Sequence, residues 1–222
     1  MKSNSTGEQK LDPPLSPPLK EGKRGVNPFT SPGYVVDKKI IEILGRYIDI
    51  INEYKSKINI VGKLDYSDIY NKLLVPSIIA TQLIDKKCLL DVGSGAGICG
   101  ITIKLVRNSI SIVLCERNNK KIAFLHEVVN KLSIKNVKII PCGLEDISTK
   151  DLDCVEELLI RGIKLVNIYG LLMKKFPRGT DIIYFGSKND LAGQGCDLID
   201  SIPIPGYEDR RDPLFVFHLK LN

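Results

Sequence analysis

The chain has 222 residues, carries 32 Lys and Arg against 26 Asp and Glu for a net charge of +6, and is 43% apolar. That length allows one ordinary domain with appendages, and the apolar fraction excludes a chain disordered throughout. No run of about 18 apolar residues exists to cross a bilayer, so no membrane partner is expected. Six cysteines stand at 88, 99, 115, 142, 154 and 196, none in a CxxC pair and most inside apolar runs, with only His126 and His218 to help build a metal site. This pattern predicts reduced, buried thiols and no metal. No secretory-type apolar segment follows the first residues, so the expected compartment is the cytoplasm.

In chain order, residues 1–33 hold six of the 12 prolines and few large apolar side chains. Such a segment cannot offset its ordering entropy and reads as a disordered Pro-rich extension. Residues 34–222 read as a single domain, with N-terminal helices over 34–86 and a core over 87–222. From Val36, the series Ile40, Ile43, Leu44, Tyr47, Ile51 and Tyr54 recurs at helical spacing. A second helix follows Asp65 or Ser67, with Pro76 expected to break or kink it.

Apolar runs without alternation then predict strands at Cys88–Val92, Ser111–Cys115 and Val137–Ile140, separated by helices at Ile98–Arg107 and Asn118–Leu132. Val155–Ile160 reads either as a fourth strand or as the start of a helix. Ile163–Phe176 is helical, stopped by Pro177 and Gly179, and Asp181–Phe185 is a strand. Leu198–Ile204 and Leu214–Leu219 close the chain as an antiparallel pair. The fold class is α/β, a doubly wound and mostly parallel sheet.

Asp91-Val-Gly-Ser-Gly-Ala-Gly-Ile-Cys-Gly100 lies between a strand and a helix, where an open α/β sheet binds its ligand. Gly95, Gly97 and Gly100 fit the dinucleotide spacing GxGxxG, and Glu116 lies at the distance expected of a ribose-binding acid. Asp91, however, stands at the mouth of the loop, where a carboxylate would repel a pyrophosphate and favour a cation. S-adenosyl-L-methionine carries a sulfonium and an ammonium, with a ribose diol for Glu116. Gly93, Gly95, Gly97 and Ile98 would then shape the methionine and ribose pocket. In the loop after the third strand, Leu144 and Glu145 are placed to hold adenine, a carboxylate accepting from its amino group.

Lys57-Ile-Asn-Ile-Val61, Leu90–Ile103, Lys120-Lys-Ile-Ala-Phe-Leu125 and Arg161-Gly-Ile163 together resemble the ribosomal RNA small subunit methyltransferase G family, also called glucose-inhibited division protein B. The resemblance runs from about Tyr47 to Lys220. It implies a class I S-adenosylmethionine-dependent fold of Rossmann-like type and N7-methylation of a guanine in small-subunit ribosomal RNA. It carries cofactor positions over to Gly93, Ile98, Leu144, Glu145 and Arg161, with Glu116 at an acidic position. Two stretches depart from the family pattern: Lys72-Leu-Leu-Val-Pro-Ser77 replaces His-x-Leu-Asp-Ser, and Phe185-Gly186 replaces Lys-Gly. No catalytic base is identified, because guanine N7 already offers an in-plane lone pair and alignment alone is needed.

Residues 104–138 carry eight Lys and Arg against two Glu, which matches the net charge of the whole chain. Beside a cofactor pocket, this segment suggests a phosphate-facing surface, with ribosomal RNA or the small ribosomal subunit as partner of a monomeric enzyme. Three other readings stay open at this point. They are a methyltransferase for small molecules or proteins, a dinucleotide-binding oxidoreductase, and an RNA-binding homologue without activity.

Overall fold

A computed structural model describes residues 37–222, so the Pro-rich stretch 1–33 and the helix start at Val36 lie outside the described residues. Seven strands form one sheet: β1 Cys88–Val92, β2 Ser111–Cys115, β3 Val137–Ile140, β4 Glu157–Arg161, β5 Asp181–Ser187, β6 Cys196–Pro203 and β7 Leu214–Leu221. Their order is β3-β2-β1-β4-β5-β7-β6. The first five are parallel, and β7 runs antiparallel between β5 and β6. The Val155–Ile160 alternative resolves as strand. Leu158, Leu159 and Ile160 are buried and pair with β1 on one side and β5 on the other, so both faces of the run need apolar side chains.

Side chains alternate between the two faces of the sheet. Leu89, Ile112, Leu114, Leu159 and Ile183 pack towards helices α1 (Lys38–Tyr54), α4 (Ile98–Val106) and α5 (Asn119–Lys131). Leu90, Val113, Leu158, Ile160 and Ile182 pack on the opposite side, against α6 (Leu165–Lys175). On α1, Leu44, Tyr47, Ile48 and Ile51 form the buried stripe that the sequence spacing predicts. Among the described residues no helix is long and apolar enough to cross a membrane, and no group of three or more His, Cys, Asp or Glu could hold a metal ion. All six cysteines are free, but Cys154, in the turn before β4, is exposed, contrary to the expectation of burial.

Pro76 neither breaks nor ends its helix. The chain is α-helical over α2 (Tyr66–Asp68), π-helical over Ile69–Leu74 and α-helical again over α3 (Val75–Ala80). Proline supplies no N–H and crowds the carbonyl four residues back, which is Lys72 here. Widening the turn ahead of Pro76 relieves that crowding, and Val75 N–H bonds to Tyr70 C=O, five residues back.

At the amino ends of the strands, Glu157 is fully buried and neither carboxylate oxygen has a hydrogen-bond partner. It pairs in register with Asp181 of β5. Burial would raise the Asp181 carboxyl, but His218 at 3.1 Å and Lys86 at 3.3 Å hold it below the usual range. Glu157 has no such partners, and burial together with the nearby Asp181 charge pushes its carboxyl up to about 8. The native protein therefore holds this proton more tightly than the unfolded chain, whose glutamates titrate near about 4.3. The stability gained from the bound proton is complete below that value and is lost as pH rises through about 8. Glu157→Gln should remove this loss. In thermal melts the variant and the parent converge near about pH 4, and the variant melts higher near about pH 9, by about 2–4 °C for each kcal/mol recovered.

Candidate functional site

The strand order reverses direction from β1, between β2 and β4, and the loop after β1 opens at this switch point, on the carboxyl side of the sheet. The chain leaves a buried strand at Val92 and must begin α4 at Ile98, so the turn is tight. Gly95 and Gly97 take positive φ, +59° and +73°. At Gly97 there is no room for a side chain either: a Cβ would stand 2.7 Å from Ile101 Cδ1 and 2.8 Å from Leu125 Cδ2.

Hydrogen bonds from four directions fix the loop. Ser94 N–H donates to Cys115 C=O at 2.9 Å, tying it to β2. Tyr47 Oη donates to Ala96 C=O at 2.6 Å, tying it to α1. Gly95 N–H donates to Glu116 Oε2 at 2.8 Å. Gly100 N–H donates to Asp91 Oδ2, also at 2.8 Å.

The last bond corrects the expectation for Asp91. Its carboxylate is turned beneath the loop rather than standing at its mouth, and it braces the first turn of α4. Burial raises its carboxyl to about 7, although the Gly100 N–H and the Arg161 charge both oppose the rise. Tyr47 is the site residue that sequence reasoning missed, being read only as part of a helix stripe. The available signal was a tyrosine in the middle of the apolar stripe, whose hydroxyl needs a buried partner.

The other residues singled out from the sequence lie along the carboxyl ends of adjacent strands. Gly93 and Gly95 are accessible, Ile98 opens α4, and Glu116 directly follows β2, its Oε1 accepting from the Asn118 N–H at 2.8 Å. Each Glu116 oxygen bonds one backbone N–H and keeps further lone-pair capacity for a ligand. Leu144 is buried in the 3₁₀ turn Leu144–Asp146 after β3. Glu145 is exposed and lies 3.6 Å from Arg117, so this ion pair links the loops after β2 and β3.

Arg161, at the end of β4, is committed to protein groups. Its Nη2 donates to Lys72 C=O and its Nη1 to Leu73 C=O, both at 2.7 Å, with Ser77 Oγ at 3.3 Å. Of these two carbonyls, that of Lys72 is the one Pro76 leaves without its helical donor, whereas that of Leu73 also accepts from Ser77 Oγ at 3.2 Å. The guanidinium also lies over the Phe185 ring, 5.4 Å from its centroid. Beside it is a cavity of about 190 Å³ bounded by Lys72, Pro76, Gly162, Phe185, Ile204 and Tyr207. Both departures from the family pattern, at Lys72 and Phe185, therefore line one cavity.

The basic segment is less available than its sequence suggests. Lys104 is buried and donates to Ile110 C=O at 2.7 Å, and Arg107 donates to the carbonyls of Thr81 and Ile84. Lys131 pairs with Glu53 and Lys138 with Asp151. Arg117, Lys120, Lys121 and Lys135 are the remaining cations, and Arg117 is shared with Glu145.

A family model described as rRNA small subunit methyltransferase G matches residues 40–190. The chain belongs to this family. Two relatives named Ribosomal RNA small subunit methyltransferase G show the depth of the match. The one from Clostridium perfringens (strain 13 / Type A) is 38% identical over 103 residues, 45% of this chain and 43% of that relative. The one from Mesoplasma florum is 30% identical over 173 residues, 71% of this chain and 72% of that relative. The matched stretch thus spans less than half of the first and nearly three-quarters of the second.

Among solved structures, M. jannaschii TYW2 in complex with AdoMet superposes with a TM-score of 0.52 at 16% identity, covering 74% of this chain and 78% of that one. An RNA methyltransferase from Salinibacter ruber in complex with S-adenosyl-L-homocysteine gives 0.50 at 15% identity, covering 65% and 89%. At such identity these two bear on the fold alone, and the methyltransferase G fold here is the doubly wound, hairpin-ended sheet of that type.

Gly97→Ala and Gly95→Ala separate the two demands on the loop. Both replace a left-handed glycine, at a cost of about 1–2 kcal/mol. Only the former also drives a Cβ into Ile101 and Leu125, adding about 1–3 kcal/mol. Urea melts should rank Gly97→Ala well below Gly95→Ala in stability, and equal losses would contradict the packing described.

Proposed function

We propose that the protein is an S-adenosylmethionine-dependent methyltransferase acting on N7 of a guanine in small-subunit ribosomal RNA, in the cytoplasm. The observation that carries this reading is Glu116. It directly follows β2 at the switch point, is hydrogen-bonded across to Gly95 of the glycine loop, and keeps lone pairs for a vicinal diol. The residues present fit such a cofactor. Gly93, Gly95 and Ile98 give a backbone-lined bed for the methionine and ribose portions, with Gly97 buried beneath it against Ile101 and Leu125, Glu116 accepts from the ribose hydroxyls, and Leu144 with Glu145 faces adenine. When bound, the cofactor supplies an activated methyl group on sulfur.

The chain's own work is then positional. Guanine N7 has an in-plane lone pair and no proton to lose, so no general base is required. The protein must hold the base so that N7 lies in line with the methyl and the sulfur, and must exclude competing acceptors. Tyr47, Asp91 and Arg161 act indirectly in this scheme. The first two brace the loop, and Arg161 pins the π-helical turn against the sheet. Family membership supports the ribosomal substrate, and the structures solved with AdoMet and S-adenosyl-L-homocysteine support the cofactor. The dinucleotide reading loses ground because β7 runs antiparallel inside the sheet and the family matched is one of methyltransferases.

Calorimetry should find that S-adenosylmethionine binds and NAD does not. Glu116→Ala should weaken the cofactor by about tenfold or more, the scale of a lost hydrogen bond to a charged group. Mass mapping of small-subunit ribosomal RNA from cells with and without the gene should show one guanine lighter by a methyl group in the latter. An unchanged guanine pattern overturns the assignment.

A further inference from the structure

The cavity beside Arg161 adjoins the glycine loop without being part of it. Gly162 lines the cavity, and the side chain of the next residue, Ile163, lies 3.0 Å from where a Cβ on Gly93 would stand. A ligand seated there is thus next to whatever occupies the loop. Sites for drug-sized ligands run to about 300–1,000 Å³. At about 190 Å³ this one suits a single flat ring system.

Its walls are of the right chemistry for a base. Pro76, Phe185, Ile204 and Leu214 give apolar surface. Tyr207, in the loop between β6 and β7, is half-buried and lines the same space, with the Arg210 guanidinium over its ring at 4.5 Å from the centroid. The charged residues on the lining are Lys72 and Arg161, and no carboxylate is among them. Arg161 is occupied by main-chain carbonyls, whereas Lys72 is half-exposed and paired only across one helix turn with Asp68, at 2.6 Å. Such a surface pair is readily exchanged for a ligand acceptor.

We propose that this cavity seats the target purine, with its face stacked on Tyr207 and its O6 accepting from Lys72. The assignment rests on the guanine-N7 reading and names the side chains that select the base. The edge of guanine carrying N7 also carries the acceptor O6, while the same edge of adenine carries an amino donor. A lysine ammonium only donates, so it favours guanine and leaves an adenine amino group facing a like donor.

The test titrates the full chain, saturated with S-adenosylhomocysteine, with guanosine 5′-monophosphate and adenosine 5′-monophosphate, followed by NMR. Guanosine should bind more tightly and shift the Tyr207 ring resonances. Tyr207→Ala should lose about tenfold or more in guanosine affinity while Tyr207→Phe keeps it, as stacking requires. Lys72→Met should bring the two nucleotides within about twofold of each other by weakening guanosine. S-adenosylhomocysteine affinity, measured separately by calorimetry, should stay within about twofold in all three variants, since none touches the glycine loop.

If the protein binds S-adenosylhomocysteine but guanosine leaves Tyr207 unshifted, or if Tyr207→Ala binds as tightly as the parent, the cavity assignment falls and the methyltransferase reading stands. If S-adenosylhomocysteine itself does not bind, both fall.

Discussion

The architecture turns on the chain's reversal between β1 and α4. A strand buried on both faces has to give way, within five residues, to a helix packed on that same strand, and the turn must leave backbone free for a ligand. Asp91 makes this possible from below. Its carboxylate, buried at the end of β1, accepts the Gly100 N–H in the first turn of α4 and so ties strand to helix beneath the loop. A buried acid with a single N–H partner is costly, and its upward-shifted carboxyl records that cost. Tyr47 presses from the α1 side and Glu116 from the β2 side, so the loop is held by elements far apart in sequence. A binding surface fixed in this way loses little freedom when a ligand arrives.

The second half of the site is built around a backbone irregularity. Pro76 lies in a helix that continues through it, and the Lys72 carbonyl it deprives of a donor is taken up by Arg161 from the end of β4, together with that of Leu73. Arg161 lies over Phe185 at the same time, so a single side chain joins helix, sheet and cavity wall. The fork of a guanidinium suits this task, reaching two adjacent carbonyls in one plane.

Much of this was legible in the sequence, and the reasons are specific. Parallel strands covered on both faces require apolar runs, so β1 and β2 stand out, while β3 at the sheet edge admits the exposed Lys138 among its apolar residues. The turn into α4 requires glycine, so the loop does too. The hairpin of β6 and β7 follows from its two apolar stretches and the Pro- and Gly-rich turn between them. Val155–Ile160 was ambiguous because a short apolar run does not distinguish a strand from a buried helix, and only pairing with β1 and β5 decides it.

What the sequence hides is direction. Asp91 at the end of a strand can point up to a ligand or down to a helix, and the choice is made by Gly100, nine residues on. Lys104 and Lys121 look alike in a basic segment, yet Lys104 lies on a helix buried almost all round and spends its charge on carbonyls. Arg161 meets partners that are 84–89 residues earlier in the chain.

The π-helical turn Ile69–Leu74 has a further consequence. Relative to an α-helix, such a turn amounts to one residue inserted, which rotates everything before it by about a quarter-turn or more against everything after it. Deleting the polar Asn71 would remove that extra position with the apolar side chains intact and would bring back the crowding ahead of Pro76. The Lys72 and Leu73 carbonyls would then swing away from Arg161, and one wall of the cavity would go with them. This stretch of the chain is therefore constrained by its length as much as by its side chains. Substitutions that keep the count are compatible with the wall, and a change of one in the count is not.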